Sequence, residues 1–160
     1  MDIKEKIKSV LGSKDYEINV ITTTDGTRVN GQCATWVTQV SLEPQLIAVC
    51  LGLERYTSEI VKKSNVLAVN VLAKEQANLV PHFGYRSGRD FDKFANVSYK
   101  TAVTGSPIID GVFAYFDCKV KEIYPGGDHE IFLCEVVDAG LGDGKERLYF
   151  QWLVSPTKTA

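Results

Sequence analysis

The chain has 160 residues, of which 44% are hydrophobic and 24% charged, and its formal net charge is −2. This length and composition predict one globular domain, residues 1–160. The basic residues are dispersed, which argues against a nucleic-acid surface, and no apolar run is long enough to span a membrane. Because the N-terminus is charged and unlike a signal peptide, we predict a cytoplasmic protein.

The cysteines do not form a recognisable metal or redox motif. Their positions are Cys33, Cys50, Cys118 and Cys134. Zinc sites, rubredoxin-type iron sites and thioredoxin-like redox pairs use short spacings such as C-x-x-C, which this chain lacks. Each cysteine lies in an apolar stretch, where a free thiol usually packs as a small hydrophobic group. We therefore predict neither a metal site nor a disulfide framework.

The N-terminal part of the chain predicts a helix followed by a β-hairpin. Apolar residues recur at helical spacing across residues 2–11: Ile3, Ile7, Val10 and Leu11. Residues 16–24 are rich in strand formers and end at an Asp-Gly pair, a strong hairpin signal. Residues 28–42 follow as the return strand, in which Gly31 is a candidate bulge.

The middle of the chain predicts two strands around a short helix. Residues 45–53 follow a Glu-Pro break and form an apolar run typical of a buried strand. Residues 56–64 are expected to be helical, with Thr57 or Ser58 as the cap. Two lysines at the end of this segment suit the helix dipole. Residues 65–73 are expected to form the next strand.

The rest of the chain predicts a second helix, a polar loop and long strands. The helix is expected over residues 75–84, disturbed at Pro81, and residues 84–94 read as a loop. The later strands are predicted at residues 110–124, 129–140 and 145–154. Many strands joined by tight turns predict a mainly β fold, a closed antiparallel barrel with peripheral helices. A parallel βαβ array would need longer crossovers.

Two segments carry residues suited to bind an anion. Thr57 stands beside Arg55 at a helix start, where it can help bind phosphate or simply cap the helix. A later loop combines basic and small residues: Arg86, Ser87, Gly88, Arg89 and Lys93. Such a loop can clamp a phosphate or form an ordinary solvated surface. His129 opens a strand, where it can hydrogen-bond a ligand or donate a proton near neutral pH.

Four segments, in this order, resemble the FMN-binding split-barrel family of flavin reductase-like proteins. They are "VITTTDGTRVNGQCATWVTQVSLEPQLIAVCL", "YTSEIVKKSNVLAVNVL", "FGYRSGRDFDKF" and "GDHEIFLCEVVDA". The resemblance covers most of the chain, and it is closest to flavoredoxin and to the reductases that serve rubredoxin and flavodiiron proteins. It implies a six-stranded or similar antiparallel split barrel that forms a homodimer, with FMN near the subunit interface.

The resemblance also implies an activity. An enzyme of this family would transfer electrons from NAD(P)H through FMN to flavin, ferric iron or a small redox protein. The alternative is a flavoredoxin-type electron carrier, which a protein donor reduces without direct NAD(P)H oxidation. A third reading is a cofactor-free ligand-binding barrel. Because the sequence has no C-x-x-C pair, we expect any rubredoxin or flavodiiron-type partner to be a separate protein.

For the phosphate end of FMN, the resemblance implies a group of polar and basic residues. Thr57 and the first N–H groups of its helix would bind the phosphate, and Lys93 would add positive charge to the phosphate or ribityl chain. Arg55 and Tyr56 stand where many relatives have serine, and the arginine would pair with phosphate or with a dinucleotide substrate. The remaining residues come from the loop: Ser87, Gly88 and Arg89.

For the ring end of FMN, the resemblance implies contacts from two strands and one histidine. The residues that would run along the flavin are Asn30, Cys33, Ala34 and Thr35. Trp36 would pack against the ring system, and Cys50 and Leu51 would line the neighbouring strand. His129 would approach the flavin edge or the nicotinamide, which makes it the predicted catalytic residue.

Overall fold

A computed structural model describes residues 1–155 of the chain. The helices are α1 (Ile3–Gly12), α2 (Tyr56–Ser64), α3 (Leu79–Gly84) and α4 (Phe150–Val154). The strands are β1 (Asn19–Thr24), β2 (Val29–Ala34), β3 (Val37–Ser41), β4 (Leu46–Gly52), β5 (Val66–Val71), β6 (Tyr99–Thr101), β7 (Pro107–Ile109), β8 (Ala114–Pro125) and β9 (His129–Leu141). A short 3-10 turn covers Lys74–Gln76. The prediction of a mainly β fold with few helices is confirmed.

Seven strands form one antiparallel sheet that curves into a barrel. The strand order is β2-β1-β5-β8-β9-β4-β3, and every neighbouring pair is antiparallel. β2 and β3 lie at opposite ends of this order, yet only Thr35 and Trp36 separate them in the chain. A two-residue link cannot cross the width of a flat sheet. The two ends of the sheet must therefore meet, which closes the barrel along the β2–β3 segment.

The predicted return strand over residues 28–42 is wrong in one respect, because the structure divides it into β2 and β3. β2 pairs with β1, whereas β3 pairs with β4. Gly31 is not a bulge, since the β1–β2 register runs without a shift from Asn19 to Thr24. A Cβ at Gly31 would instead press on the ring of Phe83, so glycine is needed there for close packing.

The barrel interior is one hydrophobic cluster. Its buried members are Ile21, Ile47, Val49, Leu51, Val61, Leu67, Val69, Cys118, Phe132 and Cys134. In β4 these positions alternate with less buried ones, as expected of a strand with one face toward the core. The predicted fully buried strand at residues 45–53 is therefore buried on one face only. Its other face remains available to line a site.

A second cluster outside the barrel fixes the polar loop at residues 84–94. Phe83 and Phe94, at the two ends of that loop, meet edge to face with ring centroids 5.4 Å apart. Both are buried with Leu72 and Leu148. The loop is thus anchored at both ends, and the residues between are presented over β2.

Two further predictions differ from the structure, and one small sheet was not predicted. The predicted helix over residues 75–84 is two short pieces, and Pro81 lies in the first turn of α3, where its missing N–H costs nothing. Residues 145–154 do not form a strand; Arg147 and Tyr149 make isolated bridges before α4. The small β6–β7 sheet was not expected from the sequence. None of the helices within residues 1–155 is long and apolar enough to cross a membrane.

Candidate functional site

Two adjoining cavities lie along β2, the first beside the start of α2 and the loop at residues 84–94, the second beside the end of β4 and the start of β9. The first has a volume of about 230 Å³ and is lined by Asn30, Gln32, Glu54, Arg55, Tyr56, Thr57, Phe83, Tyr85, Arg86, Ser87, Gly88, Arg89 and Lys93. The second has a volume of about 160 Å³ and is lined by Gln32, Cys33, Ala34, Thr35, Trp36, Cys50, Gly52, Arg55 and His129. The cavities meet at Gln32 and Arg55, which line both.

Lys93 supplies a buried cation to the first cavity. Its side chain is only 4% exposed, and its Nζ donates to the backbone carbonyls of Gly31 at 2.8 Å and Phe83 at 3.0 Å. Burial lowers the pKa of Lys93 from 10.5 to about 8, with a smaller contribution from the Arg55 charge. A protonated lysine has three N–H donors, so one remains for a ligand.

The start of α2 adds neutral donors to the same cavity. Arg55 is the N-cap residue, but its side chain makes no capping hydrogen bond, so the predicted caps Thr57 and Ser58 are wrong. The first backbone hydrogen bond of the helix runs from Glu59 N–H to the Arg55 carbonyl. Within residues 1–155, the preceding three N–H groups therefore have no partner. Thr57 is buried, and its hydroxyl accepts from the Asn30 amide at 3.0 Å.

The loop residues complete the cationic wall. Arg89 pairs with Glu59 and lies over the Tyr56 ring at 5.1 Å, and Arg86 lies over the ring of Phe91 at 4.6 Å. Gly88 approaches β2 so closely that a Cβ there would overlap the Asn30 amide. Only glycine permits this contact between loop and strand. The first cavity is therefore compact, and Arg55, Arg86, Arg89 and Lys93 line it together with one carboxylate, Glu54.

An aromatic and a histidine face the second cavity. The rings of Trp36 and His129 lie 4.7 Å apart between centroids at an angle of 50°. His129 Nδ1 lies 2.6 Å from the Asp128 carboxylate, where it acts as donor. This hydrogen bond lowers the pKa of Asp128. With Nδ1 held by Asp128, Nε2 is the nitrogen left to interact with a ligand.

Residues 12–153 match the family model described as "Flavin reductase like domain". The chain belongs to the flavin reductase-like family. The resemblance found in the sequence motifs is thereby confirmed.

Three relatives of the flavin reductase-like chain illustrate the family. An FMN reductase (NADH) of Agrobacterium fabrum is 32% identical over 133 residues, covering 83% of this chain and 76% of that protein. A high molecular weight rubredoxin of Moorella thermoacetica is 35% identical over 128 residues, covering 79% of this chain but only 56% of that protein. The solved structure of an NADH:FAD oxidoreductase of Streptomyces globisporus is 30% identical with a TM-score of 0.85, covering 94% and 91% of the two chains.

The cysteines of this flavin reductase-like protein are not activated thiols. Burial raises the pKa of Cys33 to about 12, although the charge of Lys93 opposes the shift. Its Sγ donates to the Val80 carbonyl at 3.5 Å. Burial also raises the pKa of Cys50, Cys118 and Cys134. Among the described residues, no cluster of His, Cys, Asp and Glu could hold a metal ion.

The structure brings together nearly all the residues that the sequence nominated. Leu51 is the exception: it is fully buried in the barrel core. Cys50 and Leu51 are adjacent in a strand, so their side chains point to opposite faces and only Cys50 reaches the cavity.

Several lining residues were missed by the sequence reasoning, notably Gln32, Gly52, Glu54 and Tyr85. Gln32 had a weak signal, because it lies two positions after Asn30 on the same face of β2. Its side-chain oxygen is buried and has no hydrogen-bond partner within residues 1–155. His82, by contrast, is structural: its Nε2 contacts the Lys93 carbonyl at 2.7 Å.

Proposed function

We propose that this protein binds FMN across the two cavities and transfers electrons from NAD(P)H through it to an acceptor. The observation that carries the proposal is the pairing of a cationic cavity with an aromatic, histidine-containing cavity that shares two residues with it. FMN has the matching layout, with an anionic phosphate at one end and an aromatic ring system at the other. The ribityl chain joins them.

The residues of the first cavity fit a phosphate monoester. Lys93 and the arginines provide positive charge, and the Thr57 hydroxyl and the free N–H groups of α2 provide neutral donors. An anion at a helix N-terminus also interacts favourably with the helix dipole. Because Lys93 is already fixed by two backbone carbonyls, little side-chain entropy is lost when it meets the phosphate.

The residues of the second cavity would hold and orient the ring system. Trp36 offers an aromatic surface, and the β2 backbone from Cys33 to Thr35 offers polar groups along one edge. His129 is the proposed catalytic residue. Asp128 holds its Nδ1–H, so in the protonated ring the Nε2–H is the group that can donate a proton at the flavin edge or a hydrogen bond to the nicotinamide. When bound, FMN supplies hydride acceptance from NAD(P)H and the onward transfer of electrons singly or in pairs.

The names of relatives support this activity. One is an FMN reductase that uses NADH, and another is an NADH:FAD oxidoreductase. The acceptor is proposed more broadly as free flavin, ferric iron or a small redox protein. The relative named a high molecular weight rubredoxin favours a redox-protein acceptor, here a separate rubredoxin or flavodiiron-type partner. The alternative is a flavoredoxin-type electron carrier, which a protein donor reduces without direct NAD(P)H oxidation.

We further propose that the protein is a homodimer. α1 buries none of its residues, and Ile3, Ile7, Val10 and Leu11 are each more than half exposed. An apolar groove of about 700 Å³ runs beside the helix to Trp36 and Phe150. Exposed apolar surface of this kind usually marks a contact with another protein. A second copy seated there would adjoin the second cavity, which also includes Trp36.

An absorption spectrum of the purified protein, loaded with FMN and then mixed anaerobically with NADH or NADPH, tests the proposed function. We expect a flavin spectrum that one of the two nucleotides bleaches. If FMN is bound but neither nucleotide bleaches it, the proposed reductase activity is contradicted and the electron-carrier alternative is favoured. A colourless protein that does not take up added FMN would contradict both and favour a cofactor-free barrel.

A further inference from the structure

The buried amide of Gln32 lies where the two cavities of the proposed flavin site meet. Gln32 is 9% exposed, and its Oε1 is buried without a hydrogen-bond partner within residues 1–155. A buried acceptor without a donor is destabilising in a folded protein, so such an atom usually accepts a hydrogen bond from a ligand or a water molecule. Among the side chains lining the cavities, only Gln32 combines this orphan oxygen with a place in both of them.

The position of Gln32 determines which part of a flavin it can meet. On one side lie the cations and the start of α2, and on the other lie Trp36 and His129. If phosphate and ring occupy these two ends, the segment that crosses the junction is the polyhydroxylated chain between them. Arg55, the other residue at the junction, has only hydrogen-bond donors in its side chain, so it cannot accept a hydrogen bond from a hydroxyl group.

We propose that Gln32 accepts a hydrogen bond from a ribityl hydroxyl and thereby selects flavins that carry the sugar-alcohol chain. This inference rests on the proposed flavin-binding function and adds a specificity-determining residue to it. A hydroxyl both donates and accepts, so it can serve the buried oxygen and the Nε2 group of one amide. The ring offers a donor of its own, an N–H on the pyrimidine part, which is the competing partner for Gln32.

Three flavins separate these partners. FMN carries ring, ribityl chain and phosphate; riboflavin lacks the phosphate; and lumiflavin lacks the whole chain but keeps the ring N–H. Each is titrated into the flavin-free protein, and the dissociation constant is read from flavin fluorescence. The wild type is expected to bind riboflavin at least about tenfold more tightly than lumiflavin, since each satisfied buried hydrogen bond contributes about that factor.

Gln32→Met removes the amide at nearly constant length and volume. We expect it to weaken the binding of FMN and of riboflavin about tenfold, and to change the affinity for lumiflavin by less than about twofold. Gln45→Leu, which alters an exposed glutamine outside both cavities, is the matched control and should change none of the three affinities. Without flavin, Gln32→Met should melt at the same temperature as the wild type or higher, because the orphan acceptor is gone.

The outcomes separate the two proposals. Equal losses of affinity for all three flavins would show that Gln32 contacts the ring or only maintains the shape of the site. That result would overturn the ribityl contact. Unchanged affinities in Gln32→Met would overturn it as well. If that variant fails to fold, the wild type still decides, because equal binding of riboflavin and lumiflavin contradicts the inference. A wild type that binds none of the three overturns the proposed function itself.

Discussion

Lys93 connects the affinity of the proposed site to pH. In the flavin-free protein its pKa is about 8, lowered by burial from 10.5. A bound phosphate favours the protonated lysine, so FMN affinity should fall as the pH rises above about 8, by at most about tenfold per pH unit for one proton. Riboflavin lacks the phosphate, and its affinity corrects for titration of the ring. The measurement is the ratio of FMN to riboflavin affinity between pH 7 and pH 10.

The same lysine gives folding stability the opposite pH dependence: stability rises with pH, whereas FMN affinity falls. Because its pKa is lower in the folded chain than in the unfolded one, the charged form opposes folding below about pH 8. This penalty is relieved between about pH 8 and 10.5, so Lys93 makes the flavin-free protein more stable as the pH rises there. In Lys93→Met both pH effects should vanish. A flat affinity ratio in the wild type would place the phosphate away from Lys93.

Cys33 and Trp36 should respond differently to substitution. The Cys33 thiol stays protonated, because burial raises its pKa to about 12, and it donates to a backbone carbonyl that a serine can also reach. Cys33→Ser should therefore keep FMN affinity within about threefold. Trp36→Ala removes an aromatic surface of the second cavity and should shift the flavin absorption bands. Loss of FMN in Cys33→Ser would show that the sulfur itself is needed.

The candidate site was predictable where residue type alone carries the signal. A threonine at a helix start and a lysine in a Gly-containing basic loop suggest an anion site, and the structure places Thr57 and Lys93 on one cavity. Gln32 could not be found this way, because a glutamine in a strand has no signature until its burial and missing partner are known. Leu51 was misplaced because strand alternation was not applied to Cys50 and its neighbour.

At the scale of elements, the contact between the loop at residues 84–94 and β2 holds the first cavity, the proposed phosphate site, in shape. Gly88→Ala would press a methyl group into the buried Asn30 amide, which already binds Thr57. We expect a loss of about 1–3 kcal/mol in stability and weaker FMN binding, measured by urea unfolding and fluorescence titration. Lumiflavin, which has no ribityl chain or phosphate to place in this cavity, should bind nearly as before.

Gly12→Ala is the matched control for that substitution. Gly12 ends α1 and lines neither cavity, and a Cβ there meets no atom within 4 Å; it does line the apolar groove proposed as the dimer contact, so the control is read together with its sedimentation. Alanine should be neutral or stabilise by up to about 1 kcal/mol, because glycine is the poorer helix former. Wild-type behaviour of Gly88→Ala would show that the loop can move off β2 without effect on the site.

The elements that the sequence predicted best are those with local signals at both ends. The Asp-Gly turn defined the first hairpin, and the lysines marked the end of α2. The division of residues 28–42 was not predictable, since the whole stretch is strand-like and only its two pairing partners separate it. Residues 145–154 look like a strand, but β1 and β5 are already paired on both sides and offer no edge.

At the scale of the whole molecule, barrel closure creates the proposed site. The two-residue link Thr35–Trp36 joins the two ends of the sheet and also lines the second cavity. β9 begins at His129 opposite Gly52 of β4, which brings the histidine to the same place. Residues far apart in sequence therefore meet because of strand order. No local pattern contains that order, which is why family resemblance was needed to connect them.

The exposed face of α1 predicts that the whole molecule is a dimer. A ten-residue helix is marginal in water by itself, and α1 buries no residue within the described chain, so a partner surface is needed to hold its apolar face. The double change Ile7→Gln/Leu11→Gln should shift dimer to monomer, measured by sedimentation velocity over a range of concentrations. Lys6→Gln/Ser9→Gln alters residues outside the apolar groove and should leave the dimer intact. A wild type that sediments as a monomer at every concentration would contradict the dimer; an unchanged dimer in the first variant would place the interface elsewhere.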